Sequence, residues 1–157
     1  MDGALTYFHE EQRFWVGFVF VLIVLLDLPF ILLVLLGREF VLLPAVAIVS
    51  AISVLFASAR LVVDVTADEI TASFHFLWPT RRIRVADVKR AHATTYNSLL
   101  EYGGYGVRWT PRGWAFNTGG DEGVLVETND GKRVMIGSRR AQELEAAIVK
   151  AVTASAR

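Results

Sequence analysis

The chain has 157 residues, 54% of them hydrophobic, with 16 Lys and Arg balanced by 16 Asp and Glu and no cysteine. The missing thiols exclude disulfides and thiolate chemistry. Five acids face Arg13 and Arg38 up to Glu39, whereas 14 bases face 11 acids from Arg60 onward. A surplus that small, with no basic helix behind it, excludes nucleic acid as a partner.

Residues 1–13 are expected as an N-terminal tail. Two apolar stretches follow, 14–36 and 40–59, broken only by Gly37-Arg38-Glu39. Each approaches the roughly 20 residues that a helix needs to cross a ~30 Å hydrocarbon core, so the pattern predicts a transmembrane helical hairpin over residues 14–59. The first stretch is too long for the core of a cleaved signal peptide. Tyr7, Phe8, Phe14, Trp15 and Phe18 suit a membrane–water interface. Asp27 is the one ionisable residue inside either stretch. Folding the chain about residue 38 sets it level with Val49 and Ser50. An acid at that depth is an intramembrane polar site by default. Its first reading is a packing contact to Ser50 or to a carbonyl freed by Pro29; the second is an ion or proton pathway built from several copies.

Residues 60–157 are expected as one domain that begins at the bilayer without a linker. Residues 60–66 read as a strand, and Ile70, Ala72, Phe74, Phe76 and Trp78 alternate with polar neighbours as a half-buried strand does. Further strands are predicted at 81–85, 89–96, 106–109, 113–117, 123–128 and 133–136. Asn129-Asp130-Gly131 is a strong hairpin signal. A closing helix is predicted over 139–153, capped by Ser138 and carrying Leu144, Ile148 and Val152 on its apolar stripe. The fold class expected is therefore α+β: a membrane hairpin, then an antiparallel β-barrel or bent sandwich of about seven strands capped by a C-terminal α-helix.

In that setting Tyr96, the block Glu101-Tyr-Gly-Gly-Tyr-Gly-Val-Arg108, Gly113-Trp-Ala-Phe-Asn117, Gly120, Gly123-Val-Leu-Val and Asp130-Gly-Lys-Arg-Val-Met-Ile-Gly-Ser138 carry a resemblance. The chain resembles bacterial two-span membrane proteins with a C-terminal pleckstrin-homology-like (PH-like) domain. Ser98 and Ala141 stand where that family often has proline. The resemblance implies a PH-like barrel and carries no enzyme activity with it.

Two groups of side chains are candidate sites in this domain. Tyr96, Glu101, Tyr102, Tyr105, Arg108, Trp114 and Asn117 lie in a glycine-rich stretch and suit partner or ligand binding, or else a bulged barrel corner with a Glu101–Arg108 ion pair. Arg81, Arg82, Arg84, Lys89 and Arg90 form a basic cluster suited to an anionic membrane surface. Arg139 and Arg140 oppose the dipole of the closing helix and hint at an external anion or acidic partner. His9, His75 and His92 are scattered without metal-ligand spacing, and no nucleophile motif or phosphate loop is present. No catalytic residue, metal or cofactor is nominated.

The function expected is a non-enzymatic, membrane-anchored module for protein–protein interaction or self-assembly, a homo-oligomer included. It is placed at the inner face of the bacterial cytoplasmic membrane with both termini cytoplasmic. The alternative is an oligomeric transporter, channel or accessory subunit using Asp27.

Overall fold

A computed structural model describes residues 5–13, 20–21, 23–37, 43–75 and 78–155. The expected interfacial Phe14, Trp15 and Phe18, the connection at Arg38-Glu39 and the strand positions Phe76 and Leu77 lie outside them. The chain divides into two units, Arg13–Ala59 and a second made of Met1–Gln12 with Arg60–Arg157.

The first unit is helical. A π-helical turn, Ile23–Asp27, runs into α1 (Leu28–Gly37), and α2 spans Leu43–Ser58. Pro29 has no N–H to give to the preceding turn, which accounts for irregular winding just before it. The 16 residues of α2 extend about 24 Å at 1.5 Å per residue, short of a ~30 Å hydrocarbon core. Among the described residues, no helix is long and apolar enough to cross a membrane. That finding overturns the expected transmembrane hairpin, and with it the multi-pass location in a cytoplasmic membrane. Asp27 is buried between the helices, where Ser50 Oγ donates to Oδ1 at 2.9 Å and Ser53 Oγ to Oδ2 at 2.6 Å.

Among its described residues the second unit holds nine strands in two sheets. β1 (Thr6–Arg13), β2 (Arg60–Thr66), β3 (Glu69–His75) and β4 (Arg81–Arg84) form a four-stranded sheet in chain order. After a 3-10 turn at Val85–Asp87 come β5 (Val88–Thr95), the short helix α3 (Ser98–Tyr102), β6 (Gly106–Thr110), β7 (Gly113–Asn117), β8 (Glu122–Thr128) and β9 (Arg133–Gly137). The five strands order as β5-β8-β9-β7-β6. α4 (Ala141–Ser155) closes the chain.

Two features depart from the expected barrel. The sheets do not close on each other, and β9 inserts between β8 and β7, so that β7 and β9 pair in parallel through Trp114↔Val134 and Phe116↔Ile136. A sequential antiparallel meander would have set β7 beside β8. The segment expected as a tail contains β1, an edge strand of the first sheet.

The core follows from the alternation. Leu61, Val63 and Val65 of β2, Ile70, Ala72 and Phe74 of β3, and Val124 and Val126 of β8 are buried with Leu144, Ile148 and Ala151 of α4. Each large aliphatic side chain fully buried contributes about 1.5–3 kcal/mol. α4 touches β2 of one sheet and β5 and β8 of the other, and Glu145 Oε2 accepts from the Ala93 amide of β5 at 3.0 Å.

Candidate functional site

The stretch 96–120 is organised by local capping. Asn97 Oδ1 accepts from the amides of Leu99 and Leu100 at 3.1 and 3.0 Å, and Glu101 Oε1 returns the contact from the Asn97 amide at 2.8 Å. That reciprocal pair fixes the start of α3. Its end is a left-handed Gly103 at φ 72°, with Gly103 N to Leu99 O at 3.1 Å and Gly104 N to Ser98 O at 2.9 Å. A side chain is disfavoured at such a φ, and the two hydrogen bonds close the last turn. The Tyr-Gly-Gly run is thus the C-terminal cap of a single helical turn rather than a bulged barrel corner. Glu101 pairs with Arg112 at 2.5 Å, not with Arg108.

α3 covers one face of the second sheet. Tyr96 and Tyr102 meet edge to face, ring centroids 5.8 Å apart, over Ala115 and Met135. Burial pushes the Tyr96 phenol up to about 12, against the pull of the nearby Ser98 hydroxyl. Ser98 Oγ is turned to Gly120 O at 3.2 Å, so Tyr96 Oη has no directed partner. Burial raises the Tyr102 phenol as well, helped by the Glu101 charge. Asn117 is fully buried, with neither end of its amide hydrogen-bonded. A Cβ on Gly137 would meet Tyr96 Oη at 2.7 Å and Asn117 Cβ at 3.0 Å, so glycine is what lets these groups converge. Three of the seven nominated binding residues, Tyr96, Tyr102 and Asn117, are therefore interior residues.

The exposed part of the region is the free edge. β6 ends its sheet, and in register with β7 its residues fall on two faces: Arg108 beside Ala115, and Trp109 beside Trp114. Arg108 is exposed, with its guanidinium passing Gly104; Trp109 is 69% exposed; and Trp114 leans on Phe116 at 6.5 Å. Tyr105 is half-buried. Beside β6, α3 leaves Leu99 and Leu100 61% and 86% exposed. Leu99 and Leu100 are the residues that sequence reasoning missed. Two consecutive leucines on a five-residue helix were the available signal, because one turn facing a sheet with Tyr102 cannot bury both.

No family model, curated protein or solved structure matches the chain.

The basic cluster divides. Arg81, Arg82 and Arg84 line one cleft with Asp87, Asp130 and Lys132, whereas Lys89 and Arg90 line another beside Ile148 and Val152 of α4. Arg84 is held by Asp87 at 2.8 Å, Arg82 lies 3.9 Å from Glu69, and Lys89 lies 3.9 Å from Glu127. The Arg140 guanidinium pairs with Glu143 at 3.3 Å, and the first turn of α4 receives Glu10 of β1. Its carboxylate accepts from Ser138 Oγ at 2.6 Å and from the Arg139 amide at 3.2 Å, while Arg140 sits 4.6 Å over the Phe8 ring and donates to His9 O.

Proposed function

We propose that this protein is a non-enzymatic binding module that takes up an extended segment of a protein partner along the free edge of β6. The observation that carries the reading is the edge itself, flanked by Trp109 at 69% exposure on one face and by α3 with Leu100 at 86% on the other. An edge strand offers main-chain N–H and C=O groups to an incoming strand, whose alternate side chains then meet the two faces. Natural sheets usually blunt such an edge with charge, proline or a cover. The opposite edge of the same sheet, β5, has α4 packed on it, whereas β6 carries an exposed aromatic. A segment with apolar residues for Trp109 and Leu100 and an acid for Arg108 fits this chemistry. Transport through Asp27 is not carried forward, because a pathway of that kind needs spans, and among the described residues no helix is long and apolar enough to be one.

The reading predicts that strand peptides of that pattern, selected from a library, protect the β6 amides from hydrogen exchange when they bind. Trp109→Ala and Leu100→Ala are each expected to weaken binding about tenfold or more, as buried aromatic and apolar anchors do, with the melting temperature unchanged. Protection at another strand, or undiminished binding by the double variant, overturns it.

A further inference from the structure

A cleft of about 390 Å³ opens where β4 meets the β8–β9 turn, lined by Arg81, Arg82, Arg84, Asp87, Asp130 and Lys132. Its walls are tied together, since Asn129 N donates to Asp87 O at 2.9 Å and Asn129 Nδ2 to Ala86 O at 3.3 Å. Four cations face two carboxylates across it. Both carboxylates are already engaged: Asp87 takes Arg84 at 2.8 and 3.2 Å, and Asp130 takes Lys132 and the Thr128 hydroxyl. Those contacts hold the Asp130 carboxyl well below the usual carboxylate range, so it stays charged and committed to them.

Arg81 is different. Its register partner is Ala72, which is buried, so Arg81 shares the inward face of the sheet with Ile83 while Arg82 and Arg84 face outward. Its Nε is buried and has no hydrogen-bond partner. Burial of Nε fixes the plane of the guanidinium, whose terminal amino groups present a planar fork that matches a phosphate oxygen pair. The volume exceeds that of a bare phosphate and lies within the range of small-molecule sites.

We propose that this cleft binds a phosphomonoester, with Arg81 as the anchoring cation and Arg82, Arg84 and Lys132 supplying the surrounding positive field. The site is independent of the β6 edge.

Calorimetric titration of the full chain with glycerol phosphate, at fixed ionic strength, tests it. Binding is expected to weaken about tenfold or more in Arg81→Gln and less in Arg81→Lys, which keeps the charge but loses the fork. Asp87→Asn releases Arg84 and is expected to tighten binding severalfold, a gain that a merely structural role for these residues does not produce. Lys132→Gln is expected to weaken it, so the pair decides the matter even if Arg81→Gln fails to fold. Vesicles of phosphatidic acid in phosphatidylcholine form the second arm. Binding of the free ester assigns a soluble ligand, and vesicle binding alone, lost in Arg81→Gln, assigns the same chemistry to a lipid headgroup. No binding to either probe, equal displacement by chloride, or affinities unchanged across these variants overturns the proposal.

Discussion

Asn117 and Tyr96 are residues whose chemistry conflicts with their surroundings. Both place polar atoms in the interior without directed partners, at the point where Gly137 allows β9 to approach. For Tyr96 the consequence is measurable. Its folded-state pKa is raised to about 12 from an ordinary 10, mainly by burial. The unfolded chain therefore releases this proton first. The contribution is fully present below pH 10 and is lost as pH rises through 12, amounting to about 2–3 kcal/mol over that window. Urea unfolding at a series of pH values is expected to show this alkaline loss, and Tyr96→Phe to reduce it, leaving the smaller share of the same sign from Tyr102. The sequence marked Tyr96, Tyr102 and Asn117 as unusual. It could not tell interior from surface, because Asn97 and Gly103, which turn α3 onto the sheet, give no direction in space.

At the scale of elements, β1 stands out. A strand packed on a core normally presents apolar side chains inward, yet β1 buries Phe8, Glu10 and Gln12. The polar pair is satisfied in detail. Glu10 takes Ser138 Oγ and the Arg139 amide at the start of α4, while Gln12 donates to Gly137 O at 2.9 Å and accepts from Thr118 Oγ1 at 3.2 Å. An acid beside the first turn of a helix also complements its dipole. Glu10→Ala leaves buried donors unpaired, which costs about 1–3 kcal/mol, and Gln12→Ala is expected to do the same. Native-state hydrogen exchange is the check: amides of β1 and of the first turn of α4 are expected to lose protection ahead of β8 and β9. Unchanged protection in both variants would mean that pairing with β2 alone holds the strand. None of this was legible from residues 1–13, because a strand facing inward with Glu and Gln has the alternation of a solvated one.

At the scale of the molecule, the chain leaves one unit and returns to it. The contacts His9–Asp64 and Arg60–Glu11 run in opposite chain directions, as between antiparallel neighbours, so β1 ends where β2 begins. The apolar unit inserted between them exposes Leu25, Leu32, Leu35 and Leu36. A variant in which a short Asn-Gly turn replaces residues 14–59 is expected to fold into the same two sheets, since a two-residue turn can join antiparallel strands. Its amide spectrum should retain the shifts of β8, β9 and α4, and its solubility should rise. Collapse of that spectrum would show that the two units depend on each other for folding.

The sequence by itself determined the local elements of the second unit. Period-two alternation marked β3, Asn129-Asp130-Gly131 marked the β8–β9 hairpin, and the stripe of Leu144, Ile148 and Val152 marked α4. These signals are local, because side-chain periodicity and turn conformation are set within a few residues. Only the tertiary structure decided the rest. Apolar length suggested two spans, but among the described residues no helix is long and apolar enough to cross a bilayer. The insertion of β9 beside β7, the docking of β1 through Glu10, and the cleft shared by Arg81 and Lys132 join residues between 20 and 128 positions apart. Pairings of that range depend on which faces remain to be buried once the nearer strands have formed, and no short window of sequence contains that information.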